Sequence, residues 1–334
     1  VARPGGSWGL VFGPVRSRRL GVSLGVNNIP YKVCSYSCVY CQLGRTLRLS
    51  VERRPYSSPG VVVEAVARAL EEYGGPVDYV TFVPDGEPTL DTMLEDDVEA
   101  LRRELGVRVA VLTNASLLWL PDVRRGLLGA DLVSVKVDAV HEEAWRRVDR
   151  PHPSLELGKV LEGVRGFARE YGGRLLTETM LVKGLNDSTE EIEAVADFVA
   201  SLEPWRAYVA VPTRPPAEPW VEPAGAEAVT GLHEALRERG VDAELLAHSE
   251  PPPRPPRATG PREALEWLAA VLSVHPHSLE AVEMLAAEMG LEPGEAVRLL
   301  VERYGVEETR YRGRVFLVRR PVPRRGAGSG APSR

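Results

Sequence analysis

Cysteine is scarce in this chain: three residues in 334, an odd number, all crowded between Cys34 and Cys41. Thiols so few and so close together cannot pair completely within the chain, which excludes a disulfide-stapled secreted scaffold. Long apolar runs are missing too; none approaches the roughly 18 residues that a membrane-spanning helix needs. The first thirty residues scatter Arg3, Arg16, Arg18 and Arg19 among glycines instead of building an apolar core. A soluble, cytoplasmic protein with no membrane partner is expected. Lysine is nearly absent, since Lys32, Lys136, Lys159 and Lys183 are the only four among 41 basic residues. That bias fits a GC-rich genome or heat adaptation and carries no functional weight. No Gly-rich dinucleotide fingerprint follows an early strand, which weakens the case for a doubly wound nucleotide-binding sheet.

The composition that remains, 44% hydrophobic and 26% charged, is that of a globular chain, and the length suits about two domains. The net charge of −6 is unevenly spread. Residues 1–54 hold nine Arg or Lys against the single acid Glu52, and residues 310–334 hold eight arginines and no acid. Two basic ends on an acidic body suit contact with phosphates or an anionic cofactor; solvated termini are the plainer alternative. The N-terminal arginines could line a substrate entrance or pair with acidic helices.

Short β-branched runs alternate with longer amphipathic ones, the pattern of repeated βα units around a parallel sheet. Six strands are expected, at 23–27, 77–83, 107–113, 131–137, 174–182 and 207–211. Helices are expected at 61–73, 93–105, 121–128, 155–171, 190–202 and 225–239. Six units fall short of a closed eight-fold barrel, so an open, partial (β/α)6 barrel is predicted, with function at the C-terminal ends of its strands. The stretch EPPPRPPRATGP at 250–261 reads as an extended spacer between a domain at 1–249 and a second at 262–319. That second unit shows three helical patterns, at 262–272, 278–289 and 294–304, and a hairpin at 306–318, the order of a winged helix. The Gly-rich tail at 320–334 reads as disordered.

The segment VCSYSCVYCQ at 33–42 sets Cys34, Cys38 and Cys41 in a C-x3-C-x2-C spacing on a loop after the first strand. Three thiolates this close suit an iron–sulfur cluster, and three protein ligands on four irons leave one iron for a non-protein ligand. Three free thiols, or a zinc site completed by a distant histidine, are the alternatives, although structural zinc usually takes two close ligand pairs.

At these residues the chain resembles the radical S-adenosylmethionine (SAM) superfamily, whose signature has this spacing and an aromatic residue before the last cysteine, here Tyr40. The resemblance spans 21–212. It implies an α/β partial barrel in which Cys34, Cys38 and Cys41 hold a [4Fe-4S] cluster whose open iron chelates SAM. It implies further that a low-potential donor of ferredoxin or flavodoxin type supplies one electron, and that SAM is cleaved to a 5′-deoxyadenosyl radical that abstracts hydrogen from a substrate.

Further cofactor-binding positions follow from the same resemblance. Within PDGEPTL at 84–90, Asp85, Gly86, Glu87 and Pro88 match a Gly-Gly-Glu-Pro type element that takes the amino group of SAM, with Asp in place of the first glycine. Read alone, an Asp-Gly pair after a strand is a turn. Asn114 in TNAS offers a donor and an acceptor to the sugar or carboxylate, or forms an Asx-turn. In SVKVDA, Ser134 and Lys136 share one face and Asp138 lies at the mouth. Lys136 needs an anion there: the cofactor carboxylate, Asp138 or Glu178. Glu178 and Arg214 are the candidates on the substrate side, Glu178 sharing its strand face with Met180 and Arg214 able to hold a carboxylate or phosphate.

The runs FGPVRSRRLGVSLGVN, VYCQLGRT, PDGEPTL and RPH look like a prokaryotic Fe–S oxidoreductase group related to the tRNA wybutosine-synthesis enzymes. Those enzymes carry a second cluster on additional cysteines, which this chain lacks, so a different reaction is expected. RNA is a candidate substrate: Arg310, Arg312 and Arg314 on the hairpin can touch phosphates, whereas Glu295, Arg298, Glu302 and Arg303 leave the third helix neutral. Protein docking and capping of the barrel mouth are other uses for the second unit. A competing reading is an Fe–S redox-sensing regulator that binds nucleic acid. A sensing cluster should have full protein ligation, so the missing fourth ligand favours catalysis. A glycyl-radical activating enzyme shares the cysteine motif, but the C-terminal unit lends it no support.

Overall fold

A computed structural model describes residues 10–83, 85–246, 255 and 260–319. Two antiparallel strands open the fold, β1 (Val11–Ser17) and β2 (Gly21–Val26), followed by two-residue strands β3 (Val33–Cys34) and β4 (Arg48–Leu49) that pair with each other. Helices and strands then alternate: α1 (Pro59–Tyr73), β5 (Tyr79–Phe82), α2 (Leu94–Leu105), β6 (Val109–Thr113), α3 (Pro121–Leu127) and β7 (Leu132–Lys136). After α4 (Glu142–Val148) and α5 (Leu157–Glu170) come β8 (Arg174–Met180), α6 (Thr189–Ala200), β9 (Arg206–Ala210), α7 (Ala226–Glu238) and β10 (Ala243–Leu246).

The main sheet runs β1-β2-β5-β6-β7-β8-β9-β10, parallel from β2 onward, with β1 antiparallel at one edge. Among the described residues no pairing joins β1 to β10, so the partial barrel is open, as predicted, and its sheet has eight strands rather than six. The sequence pattern missed β1 because Gly13-Pro14 interrupts it and its pairing slips between Phe12 and Val15, tolerable on an edge strand. It missed β10 and α4 because four and seven residues are too short for periodicity to register.

Strand alternation divides the sheet into two faces. Val80, Val109, Val111, Val133 and Val135 point outward into a core shared with the helices. Ala110, Leu132, Leu176 and Tyr208 point inward and join Leu20 and Tyr79 in a small apolar plug. The plug fills the barrel at the N-terminal ends of its strands and leaves the inward positions nearer their C-terminal ends for something else.

A buried acid pair ties the start of α2 to the chain before α1. The Ser57 hydroxyl donates to Asp91 at 3.1 Å and to Asp97 at 2.9 Å, both carboxylates being fully buried. Burial pushes the Asp97 carboxyl up to about 7, against the Ser57 hydrogen bond and with help from the Asp91 charge. The folded state therefore holds this proton more tightly than the unfolded chain, whose aspartates titrate near ~3.9. Stability contributed by the protonated form is lost as pH rises between about 4 and 7, by up to about 1.4 kcal/mol per pH unit. Thermal unfolding at pH 5 and pH 8 should show that fall in the wild type and a flatter profile in Asp97→Asn.

The C-terminal part contributes α8 (Pro261–Val274), β11 (His277–Ser278), α9 (Leu279–Glu288), α10 (Pro293–Tyr304), β12 (Val306–Tyr311) and β13 (Arg314–Arg319). Its strands form a separate sheet, β11-β13-β12, over a core that includes Trp267, Leu285, Leu300 and Leu317. The expected helices and hairpin lie where these elements are. On α10, Arg298 pairs with Glu295 and Glu302, so its charge is spent along its own helix. Trp267 Nε1 donates to the Gly13 carbonyl at 2.8 Å, and the Tyr311 hydroxyl donates to the Pro212 carbonyl at 3.1 Å. These contacts seat the unit against β1 and the chain after β9. Of the expected spacer at 250–261, only Pro255, Gly260 and Pro261 are among the described residues; the tail at 320–334 lies outside them.

Candidate functional site

Above the plug, the inward positions are Leu112 on β6, Ser134 and Lys136 on β7, Glu178 and Met180 on β8, and Ala210 on β9. All of them line one cavity of about 330 Å³ at the C-terminal ends of the strands. The loop between β2 and α1 forms its opposite wall and brings Cys34, Cys38 and Cys41 to it, each partly buried. Backbone hydrogen bonds fix that loop. Ser50 N–H donates to the Cys34 carbonyl at 2.9 Å, and Val39 N–H donates to Val148 C=O, at the end of α4, also at 2.9 Å. Beneath it, Trp145 of α4 packs edge-on against Tyr36 and donates to its hydroxyl at 3.0 Å.

The surroundings of the thiols indicate what they can hold. Burial and the nearby Glu87 carboxylate push the Cys34 thiol up to about 12, and burial with the Asp149 carboxylate pushes Cys38 well up. Such thiols ionise when a bound metal supplies the positive charge. Lys32, only 3% exposed, aims its ammonium at Cys41 Sγ from 3.1 Å. A buried ammonium calls for an anion, and a metal-bound thiolate is one. Among the described residues, no three His, Cys, Asp or Glu side chains gather tightly enough to hold a single ion. The three thiols stand around one cavity.

The sequence profile of the radical SAM superfamily matches residues 28–199, more than half of the chain. The chain belongs to the radical SAM superfamily. UPF0026 protein MJ1312 of Methanocaldococcus jannaschii is 46% identical over 224 residues, covering 67% of this chain and 70% of that protein. A probable dual-specificity RNA methyltransferase RlmN of a Thermotoga species is 23% identical, covering 64% of this chain and 61% of that protein. Among solved structures, TYW1 with a lysine–pyruvate adduct bound matches with a TM-score of 0.50 at 17% identity, covering 65% of this chain and 73% of that one. That last likeness speaks for the fold alone. The protein is a radical SAM enzyme, and its family implies SAM and a [4Fe-4S] cluster.

Several residues expected at a radical SAM site do face the cavity: the three cysteines, Tyr40, Gly86, Glu87, Asn114, Ser134, Lys136, Glu178 and Arg214. Asp85, Pro88 and Asp138 do not. The Asp85 carboxylate accepts from Asn27 Nδ2 at 2.7 Å, while Asp85 N–H donates back to Asn27 at 3.1 Å, a clamp behind the wall. Pro88 opens the 3-10 turn Pro88–Leu90 and is buried. Asp138 is a buried strut that accepts from the Tyr40 hydroxyl and, at 2.7 Å, from Met180 N–H.

Glu87 is 1% exposed and already occupied. Its Oε1 accepts from the Thr113 hydroxyl and the Thr89 hydroxyl, each at 2.6 Å, and from Thr89 N–H at 3.1 Å; Oε2 accepts from Asn114 N–H at 2.8 Å. Its first task is to fix the loops that follow β5 and β6. Burial pushes its carboxyl up, against those hydrogen bonds. Lys136 sits 2.9 Å from Glu178 Oε1, with its ammonium over the Tyr40 ring at 4.7 Å. Of the anions expected for Lys136, Glu178 is its near partner and Asp138 stands farther off at 3.8 Å.

Other residues also meet at the site: Arg19 belongs to the N-terminal arginine run read as able to line an entrance or pair with acids, whereas His275 and Glu218 gave no sequence signal. Arg19 reaches from the β1–β2 turn to bond Glu178 from the other side, and His275, after α8, lines the same cavity. Buried Glu218 accepts from Arg45 at 2.7 Å and also from Arg150 of the RPH run, tying the cysteine loop to the segment after β9. The pairings join residues up to 173 positions apart, beyond the reach of any local pattern.

Proposed function

We propose that this enzyme holds one [4Fe-4S] cluster on Cys34, Cys38 and Cys41, with SAM beside it in the cavity, and uses them to start a radical reaction on a substrate admitted at the barrel mouth. The observation that carries this reading is the convergence of three cysteines, Gly86, Asn114 and Ser134 on one cavity, in a chain with no fourth cysteine. Bound there, the two cofactors would supply an electron and a reducible sulfonium, the source of a 5′-deoxyadenosyl radical.

The chain's own residues do the rest. Gly86 lets the backbone of the wall lie close to the cysteine loop, and Asn114, whose Nδ2 donates to the Ser35 hydroxyl at 2.9 Å, offers polar edges to the cofactor. Lys136 and Glu178 present opposite charges side by side for orienting a polar ligand. The plug closes the barrel floor and keeps water from entering behind the reacting groups.

RNA is the substrate class that we carry forward. It is supported by the RNA methyltransferase name of a distant relative and by exposed Arg310 and Arg314 on the β12–β13 hairpin, in a unit that we read as winged-helix-like. The regulator alternative gains nothing from α10, whose Arg298 is held by acids of its own helix. A ferredoxin- or flavodoxin-like protein is the proposed electron donor. The test is anaerobic reconstitution followed by electron paramagnetic resonance of the reduced protein. Wild type should show a cluster signal that changes on adding SAM, and Cys38→Ala should show neither. A cluster signal indifferent to SAM would contradict the open iron.

A further inference from the structure

Each cysteine sulfur meets a different neighbour. Cys34 Sγ accepts from Asn114 Nδ2 at 3.6 Å, Cys38 Sγ lies 3.3 Å from the Asp149 carboxylate, and Cys41 Sγ lies 3.1 Å from the Lys32 ammonium. The three sulfurs therefore stand beside a neutral amide, an acid and a cation, and the cation is the closest of the three. Cys41 faces the cavity, whereas Lys32 lies outside its lining and is 3% exposed. A charge placed there acts on the sulfur rather than on a molecule that enters the cavity, and little water intervenes to screen it.

The backbone holds Lys32 in that place. Its N–H donates to the Asp85 carbonyl at 3.0 Å, and its own carbonyl accepts from Leu47 N–H at 3.0 Å and from Arg48 N–H at 3.1 Å. Its φ is +57°, in the left-handed region that glycine enters more readily than any residue with a side chain. Strain of this kind persists where the surroundings fix it, and it collects at functional sites. Lysine is also the rare choice, since only four of the 41 basic residues are lysines. An ammonium is a compact point charge, whereas a guanidinium is a broad fork that suits paired oxygens. We propose that Lys32 sets the reduction potential of the cluster, raising it through Cys41. This rests on the proposed function, which places a cluster on that cysteine. Reduction by the low-potential donor adds one electron, with no proton moved and no bond broken, so the negative charge on the sulfurs grows. A fixed ammonium and an N–H···S hydrogen bond favour that state over the oxidised one. Lys32 thus eases the uptake of the electron on which radical formation depends.

The reconstituted full chain, free of SAM, is poised with dithionite at set potentials and followed by electron paramagnetic resonance, a measurement that needs no catalysis. Lys32→Met should shift the equilibrium at least tenfold toward the oxidised form, about 59 mV lower for one electron. Lys32→Arg, which keeps the charge, should recover most of that shift. Lys159→Met, which removes an exposed charge on α5, should cause none. Lys32→Gln gives the same comparison if Lys32→Met does not hold iron. An unshifted potential in an iron-loaded neutral variant, an equal fall in Lys32→Arg, or an equal fall in Lys159→Met would overturn the inference. So would loss of iron from both Lys32→Met and Lys32→Gln, which would make Lys32 a support of the loop. Failure of the underlying reading looks different. Wild type that binds no iron overturns both, whereas a Lys32→Met shift in a cluster that does not respond to added SAM overturns the SAM site and leaves this inference standing.

Discussion

Gly86→Ala should be among the most damaging single substitutions in the barrel. A Cβ at this position would lie 1.9 Å from the Val33 carbonyl oxygen, 2.9 Å from its carbon and 3.0 Å from Ile29 Cγ2. The first two contacts are backbone, and the Val33 carbonyl also accepts from Glu87 N–H at 3.2 Å. Neither side can yield unless β3 moves, and β3 carries Cys34. We expect a loss of about 3 kcal/mol or more in thermal or denaturant unfolding, together with loss of iron after reconstitution. Gly158→Ala is the control: nothing lies within 4 Å of that Cβ, and the residue sits inside α5. It should be neutral or stabilise by up to about 1 kcal/mol.

Glu87→Ala should cost a similar amount for a different reason. Removing the carboxylate strands four donors at once, the hydroxyls of Thr89 and Thr113 and the backbone N–H groups of Thr89 and Asn114. Each buried donor left without an acceptor costs about 1–3 kcal/mol, reduced where water can enter from the cavity. A net loss of about 3–5 kcal/mol is expected in chemical denaturation. Thr113→Val removes one of the four donors and should cost about 1 kcal/mol. A double-mutant cycle between the two positions should show strong coupling, since the valine loses its penalty once the carboxylate is gone.

Much of this fold could be read from residue order alone. The apolar β-branched runs that become β5 to β9 and the amphipathic stretches between them fell within a residue or two of their observed places, because both faces of a buried parallel sheet select the same residue types. The cysteine spacing located the heart of the site for a similar reason: ligands of one cluster must lie close in sequence when a single loop supplies them. Side-chain direction was harder to read. Asp138 belongs to the expected motif yet turns to Tyr40 and Met180, and Asp85 turns to Asn27, because a residue just past a strand end no longer obeys strand alternation. Lys32 stood out in the sequence only as one of four lysines; the folded loop aims it at Cys41. His275 reaches the cavity from beyond the whole barrel, after α8, and local sequence contains no trace of that meeting; the N-terminal arginines could be read as lining an entrance or pairing with acids, but not that Arg19 would meet Glu178. The short β10 and α4 escaped notice, although α4 holds Trp145 under the cysteine loop.

The central claim, that the three cysteines serve SAM-dependent radical chemistry, is tested most directly by one product. Protein reconstituted anaerobically with iron and sulfide is mixed with dithionite and SAM, and 5′-deoxyadenosine is measured by mass spectrometry beside a Cys38→Ala control treated identically. The account predicts 5′-deoxyadenosine from the wild type, formed slowly without substrate, and none above background from Cys38→Ala. Equal amounts from both proteins, or none from wild type that holds about four irons per chain and is supplied with a total RNA extract, would contradict it.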